Sequence, residues 1–98
     1  MIQYAIIDIL KKNGFSVHKE VRANFPGSDR KYRVDILVEE EDGRVVIELD
    51  SKSPRRKSVA KLKLFDAYRI IGLRGTKCRA PNGIDEIVGL RVRDNTIP

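Results

Sequence analysis

Three carboxylates are spaced so that a single local structure brings them together: Asp35 in the run VDILV, and Glu48 and Asp50 in VVIELD, with Asp42-Gly43 between the two runs. Asp-Gly is among the strongest two-residue hairpin signals, because both central positions of the favoured turn need positive φ. With those two residues as the turn, Val38 faces Ile47, Ile36 faces Leu49, Leu37 faces Glu48 and Asp35 faces Asp50. One side of the hairpin then carries Val34, Ile36, Val38, Ile47 and Leu49, while the other gathers Asp35, Glu48 and Asp50. Directly opposed residues hold their Cβ atoms about 4.5 to 5.5 Å apart and like charges there repel, so the pattern asks for a neutralising partner. A hard divalent cation, Mg²⁺ or Mn²⁺, suits it, since such ions take one or two carboxylates and keep positions for water and substrate phosphate. The competing reading is a solvated acidic face paired with nearby lysines and arginines. A one-residue slip of the turn would send the acids of the two strands to opposite faces, so the metal reading depends on Asp42-Gly43.

Immediately after the acids the chain turns basic. Between Lys52 and Lys63 lie Arg55, Arg56, Lys57 and Lys61 with no acidic residue, although acids cluster over 39–50. Ser53 and Pro54 look like the cap and first turn of a helix, followed at helical spacing by Ala60, Leu64, Ala67, Tyr68 and Ile71. Arg55, Arg56, Lys57 and Lys61 are candidate contacts to a phosphate backbone, with Lys57 and Lys61 on one face at i, i+4. A solvated polar face is the plainer explanation for any one of them, but basic residues in a first turn oppose the helix dipole and favour an anionic partner. The chain as a whole has 20 Lys+Arg against 14 Asp+Glu, a net charge of +6, which points the same way.

These groups need elements to hold them. Ile2, Ala5, Ile6, Ile9 and Leu10 recur at helical spacing and Asn13-Gly14 supplies a stop, which predicts a helix over 2–12. From Phe15 the apolar period becomes two, through Val17, Val21, Ala23 and Phe25, interrupted by Lys19. FPGSDRK reads as a loop, RIIGLR as the end of the second helix or a fourth strand, and IDEIVGLRVRD as a short helix with a last strand. The expected order is α-β-β-β-α-β, a single α/β domain over 1–98 with one small core, for which self-association as a homodimer is a fair expectation. The one cysteine, Cys78, excludes an intramolecular disulfide, no secretory pattern opens the chain and no apolar run spans a bilayer, so the expected location is the cytoplasm. His18 and Cys78 have no sequence partner that would make them chemical candidates, and the register of Glu20 to the hairpin is unreadable.

VDILV, a turn, VVIELD and a basic helix together resemble the PD-(D/E)xK, or restriction-endonuclease-like, nuclease superfamily over roughly residues 30 to 70. The resemblance implies a mixed β-sheet flanked by helices, with Asp35 and Glu48 as the two motif acids holding Mg²⁺ or Mn²⁺ for phosphodiester hydrolysis. Position 50 departs from the motif, carrying Asp50 where the usual lysine stands. Some branches, including one resembling very short patch repair endonucleases, have a similar Glu-x-Asp, and others move the lysine to a neighbouring element. Lys52, Lys57 and Lys61 are the candidates here, with Lys52 counted beside Asp35, Glu48 and Asp50 in the catalytic set. The expected activity is a metal-dependent DNA endonuclease in which water activated by the ion attacks phosphorus. The alternatives are a catalytically silent nucleic-acid-binding module of the same fold, a nuclease that needs a partner subunit, or an interaction domain whose acids and bases pair with each other.

Overall fold

The computed structural model describes residues 2–24, 27, 31–74 and 78–90. The elements run α1 (Ile2–Lys12), β1 (Ser16–Asn24), β2 (Lys31–Glu40), β3 (Gly43–Asp50), α2 (Arg56–Leu62), β4 (Tyr68–Arg74) and β5 (Glu86–Leu90). The strands form one sheet in sequence order, antiparallel from β1 to β3 and parallel from β3 to β5. A parallel β3–β4 neighbourhood requires a crossover, and α2 supplies it. The result is a mixed α/β architecture with a five-stranded sheet flanked by helices.

Helix α1 has its expected bounds, and Gly14 at φ 88 ends it in the left-handed conformation that a side chain would resist. It lies against β1 and β2, where Ile7 is buried with Val17, Ile36 and Val38, while Ile9 of the predicted apolar stripe is 59% exposed. On the other side of the sheet, Leu62 of α2 packs with Val34, Leu37, Val46, Ile71, Leu73 and Phe65. Helix α2 stops at Leu62, well short of the predicted Ile71, and RIIGLR is strand β4. Tyr68 and Ile71 had fitted helical spacing, yet pairing with Val45 and Glu48 of β3 places them in the sheet. Of the short helix and last strand expected in IDEIVGLRVRD, the strand is β5 and no helix is present among its described residues; residues 91–94 lie outside the described residues, as does most of the FPGSDRK loop.

Two departures shape the site. The β2–β3 turn is Glu41-Asp42, closed by Glu40 opposite Gly43, so the predicted Asp42-Gly43 turn is corrected by one step and the register by two residues. A two-residue shift preserves the face of every side chain but changes who stands opposite whom. Val38 faces Val45, Ile36 faces Ile47, and where that ladder ends Asp35 comes abreast of Glu48 instead of Asp50. The second departure is that the acidic side of β3 is not solvated. Val46, Glu48 and Asp50 are all buried on it, as befits a central strand covered on both faces.

Strand β1 changes face midway. Val17 joins the α1-side cluster, whereas Val21 and Ala23, of the same sequence parity, pack against the α2-side cluster. The change occurs at Glu20, at φ 55 the one non-glycine residue with positive φ among those described. Its position in the β1–β2 ladder, between the Lys19–Ile36 and Val21–Val34 pairs, is opposite Asp35. Strand β2 changes face at the same place, with Val34 on the α2 side and Ile36 on the α1 side. Asp35 therefore sits at a break in regular pairing.

Candidate active site

At that break Asp35 and Glu48 clasp each other's strands. The Asp35 amide donates to Glu48 Oε2 at 3.0 Å, and the Leu49 amide donates to Asp35 Oδ2 at 2.8 Å. Side chains thus replace the ladder where β2 parts from β3, which satisfies buried main-chain groups and fixes both carboxylates side by side. From the α1 side, Gln3 Nε2 donates to the Asp35 carbonyl at 2.9 Å, holding the same residue from a third element. Nothing in the sequence marked Gln3, because a helix-to-strand contact of this kind has no local signature.

Glu48 is 1% exposed, and the Lys61 ammonium of α2 forms an ion pair with its Oε1. Lys61 Nζ also donates to the Arg33 carbonyl at 2.9 Å, so one cation ties the helix to both β3 and β2. Burial pushes the Glu48 carboxyl above its ordinary 4.5 and the nearby Asp35 charge adds to that, against the opposing pull of the Lys61 hydrogen bond. Of the lysines proposed to replace the one missing at position 50, Lys61 is the one at the acids. Lys52 is exposed and lines a separate hollow with Asp50, Ser51, Ser53 and Arg55.

Asp50 departs from the expected role. Its carboxylate accepts from the Arg55 amide at 3.0 Å, from Arg55 Nε at 2.9 Å and from Ser58 Oγ at 2.8 Å, and its side chain has no solvent exposure. It anchors the start of α2, whose N-cap Arg55 makes no side-chain capping bond of its own. It also places a negative charge at the positive end of that helix, which answers the dipole argument for its basic first turn. The expected convergence of three carboxylates is corrected accordingly. Asp35 and Glu48 are together, Asp50 borders a hollow with Asp35, Gln3 and Leu49 but has its oxygens bonded to Arg55 and Ser58, and among the described residues no group of three His, Cys, Asp or Glu side chains is placed to hold a metal ion.

The four basic helix residues divide. Arg55 is held by Asp50, and Arg56 lies in a hollow with Pro54, Val59, Ala60, Lys63 and Pro81. Lys57 and Lys61 line a polar cleft of about 480 Å³ that contains Asp35. Its other wall is formed by Glu20, Lys31, Tyr32 and Arg33 of the β1–β2 pair. Lys31 and Arg33 had not been singled out from the sequence, although Lys31, Arg33 and Asp35 alternate along one strand and that spacing was the available signal.

No protein-family model matches the chain, and no curated protein matches it. Among solved structures, it is similar to the crystal structure of a protein of unknown function, AF1548, with 14% identity and a TM-score of 0.56. The match covers 74% of this chain and 45% of that one, so the chain corresponds to under half the length of that protein. The likeness extends to the fold. No helix among the described residues is long and apolar enough to cross a membrane.

Proposed function

We propose that the protein is a metal-dependent DNA endonuclease of restriction-endonuclease-like architecture, with Asp35, Glu48 and Lys61 as its centre. The observation that carries this reading is the adjacency of the two carboxylates at the strand break, with a lysine from the following helix upon one of them. Asp35 and Glu48 fit Mg²⁺ or Mn²⁺ by donor chemistry, being hard oxygen ligands of the number such ions commonly take from a protein. Bound there, the ion would supply Lewis acidity toward a phosphoryl oxygen and a lowered pKa for water.

The remaining work falls to the chain itself. Glu48 is held in place by the Asp35 amide, and Asp35 by the Leu49 amide, so neither carboxylate has to be ordered when substrate arrives. Lys61, which pairs with Glu48 and lines the cleft, is the cation that would orient water or hold a phosphate oxygen. Lys57, Lys31 and Arg33 line the same cleft and provide the positive charge that a nucleic-acid backbone needs.

The alternative is a silent binding module, favoured by the Lys61–Glu48 ion pair, which leaves Glu48 already neutralised by protein. Incubating purified protein with supercoiled, single-stranded and branched DNA in Mg²⁺ or Mn²⁺ separates the two. The endonuclease reading expects cleavage that disappears in Asp35→Ala and in Glu48→Ala. Binding without cleavage under every condition favours the silent module, and neither binding nor cleavage removes both.

A further inference from the structure

Beyond Asp35 the β1–β2 pair continues as a two-stranded ribbon, through Val21–Val34, Arg22–Arg33, Ala23–Tyr32 and Asn24–Lys31, over a stretch where no β3 pairing accompanies it. Its inner side carries Val21, Ala23 and Val34 against the α2-side core. The outer side holds Arg22 directly opposite Arg33, with Lys31 the next residue along on the same face, and all three are exposed. Like charges directly opposed across a strand pair are destabilising. Glu20 reaches Arg33 only at 3.9 Å, with both side chains more than half exposed, and an exposed pair of that length offsets little. Lys31 and Arg33 also border the cleft that contains Asp35, so this positive face is continuous with the candidate centre. At its base the ribbon is tied to that centre through Lys61, which bridges the Arg33 carbonyl and Glu48.

The geometry points to the β1–β2 ribbon as a duplex-DNA-binding arm, with Arg22, Lys31 and Arg33 on backbone phosphates and the ribbon lying along the major groove, one strand thereby led to Asp35. The charge requires a polyanion. The shape selects among polyanions, because the major groove of B-DNA, about 12 Å wide, admits a two-stranded ribbon. The major groove of duplex RNA is too narrow and deep for side chains to read. Single strands are bound chiefly by aromatic stacking platforms, and aromatic residues make up only 6% of this chain. This assignment rests on the endonuclease reading for its purpose but not for its test.

Fluorescence anisotropy on a blunt DNA duplex, without divalent metal so that nothing is cut, compares the wild type with an Arg22→Thr/Lys31→Thr/Arg33→Thr variant. The arm predicts affinity weakened at least about tenfold, and a log K against log salt slope shallower by about 0.9 for each cation removed. An Arg22→Lys/Arg33→Lys variant retains most of the binding, and Arg22→Thr alone raises Tm without DNA by relieving the opposed pair. Unchanged duplex affinity in the triple variant overturns the assignment, as does wild-type binding to single-stranded DNA or duplex RNA as tight as to duplex DNA. The two readings fail separately. A protein that binds through the arm but never cleaves loses only the endonuclease, and one that cleaves with Arg22, Lys31 and Arg33 replaced at unchanged KM loses only the arm.

Discussion

Glu48 is the residue on which the candidate site turns, since a buried carboxylate one side chain away from another must be stabilised from several directions at once. Because burial raises its pKa above 4.5, the folded protein holds that proton more tightly than the unfolded chain does. Its contribution to stability is therefore complete below pH 4.5 and declines as pH rises through the folded value. Thermal denaturation across that window will show the Tm of the wild type falling relative to that of Glu48→Gln, which cannot ionise. Lys61→Met removes the cation from a pair whose side chains are 12% and 2% exposed, and it is expected to cost on the order of 3 kcal/mol near neutral pH and less in acid. Asp50 is held by hydrogen bonds of a different kind. Asp50→Ala deprives the Arg55 amide, Arg55 Nε and Ser58 Oγ of their acceptor, for a loss of about 2 kcal/mol in denaturant unfolding. The sequence placed Glu48 and Asp50 on one face of β3 and could not separate their roles, because a turn displaced by one step exchanges the partner of Asp35; it also put Val34 beside Ile36, whereas the break at Asp35 sends Val34 to the α2 side.

At the scale of elements, the break in β1 and β2 matters more than any regular stretch of either. Glu20 in the left-handed region is disfavoured by about 1 to 2 kcal/mol, and the face change there leaves Asp35 free of the regular ladder to meet Glu48. Glu20→Gly is accordingly expected to leave Tm unchanged or raised. Glu20→Val, whose branched side chain resists that conformation more strongly, should lower stability by about 1 to 2 kcal/mol. Alternation along β1 was interrupted in the sequence at Lys19, next to the bend, but Val17, Val21 and Ala23 keep one parity, so the interruption did not reveal a change of face at Glu20. Helix α1 and the three-strand run were legible, since eleven residues of periodic apolar spacing with an Asn-Gly stop admit few other readings. Helix α2 was over-extended for an equally physical reason. Tyr68 and Ile71 satisfy a helical period by spacing alone, and only pairing with β3, a non-local interaction, makes them strand.

For the whole molecule, the sheet gathers onto one cleft residues that the chain scatters between Glu20 and Lys61, and that convergence is what the sequence could not display. The basic block at 52–63 had suggested a single cationic helix, yet its members face different ways, and half of the positive cleft comes from β2 instead. A net charge of +6 and this cleft together predict a cleavage rate at subsaturating DNA that falls as salt rises. The account is tested most directly by single-turnover cleavage of duplex DNA in Mn²⁺ by Asp35→Asn and Asp50→Asn, each compared with the wild type at matched folded fraction. It predicts no cleavage above background for Asp35→Asn and a rate within about tenfold of wild type for Asp50→Asn, since one carboxylate belongs to the centre and the other to the helix. Wild-type cleavage by Asp35→Asn, or equal abolition by Asp50→Asn in fully folded protein, would contradict it.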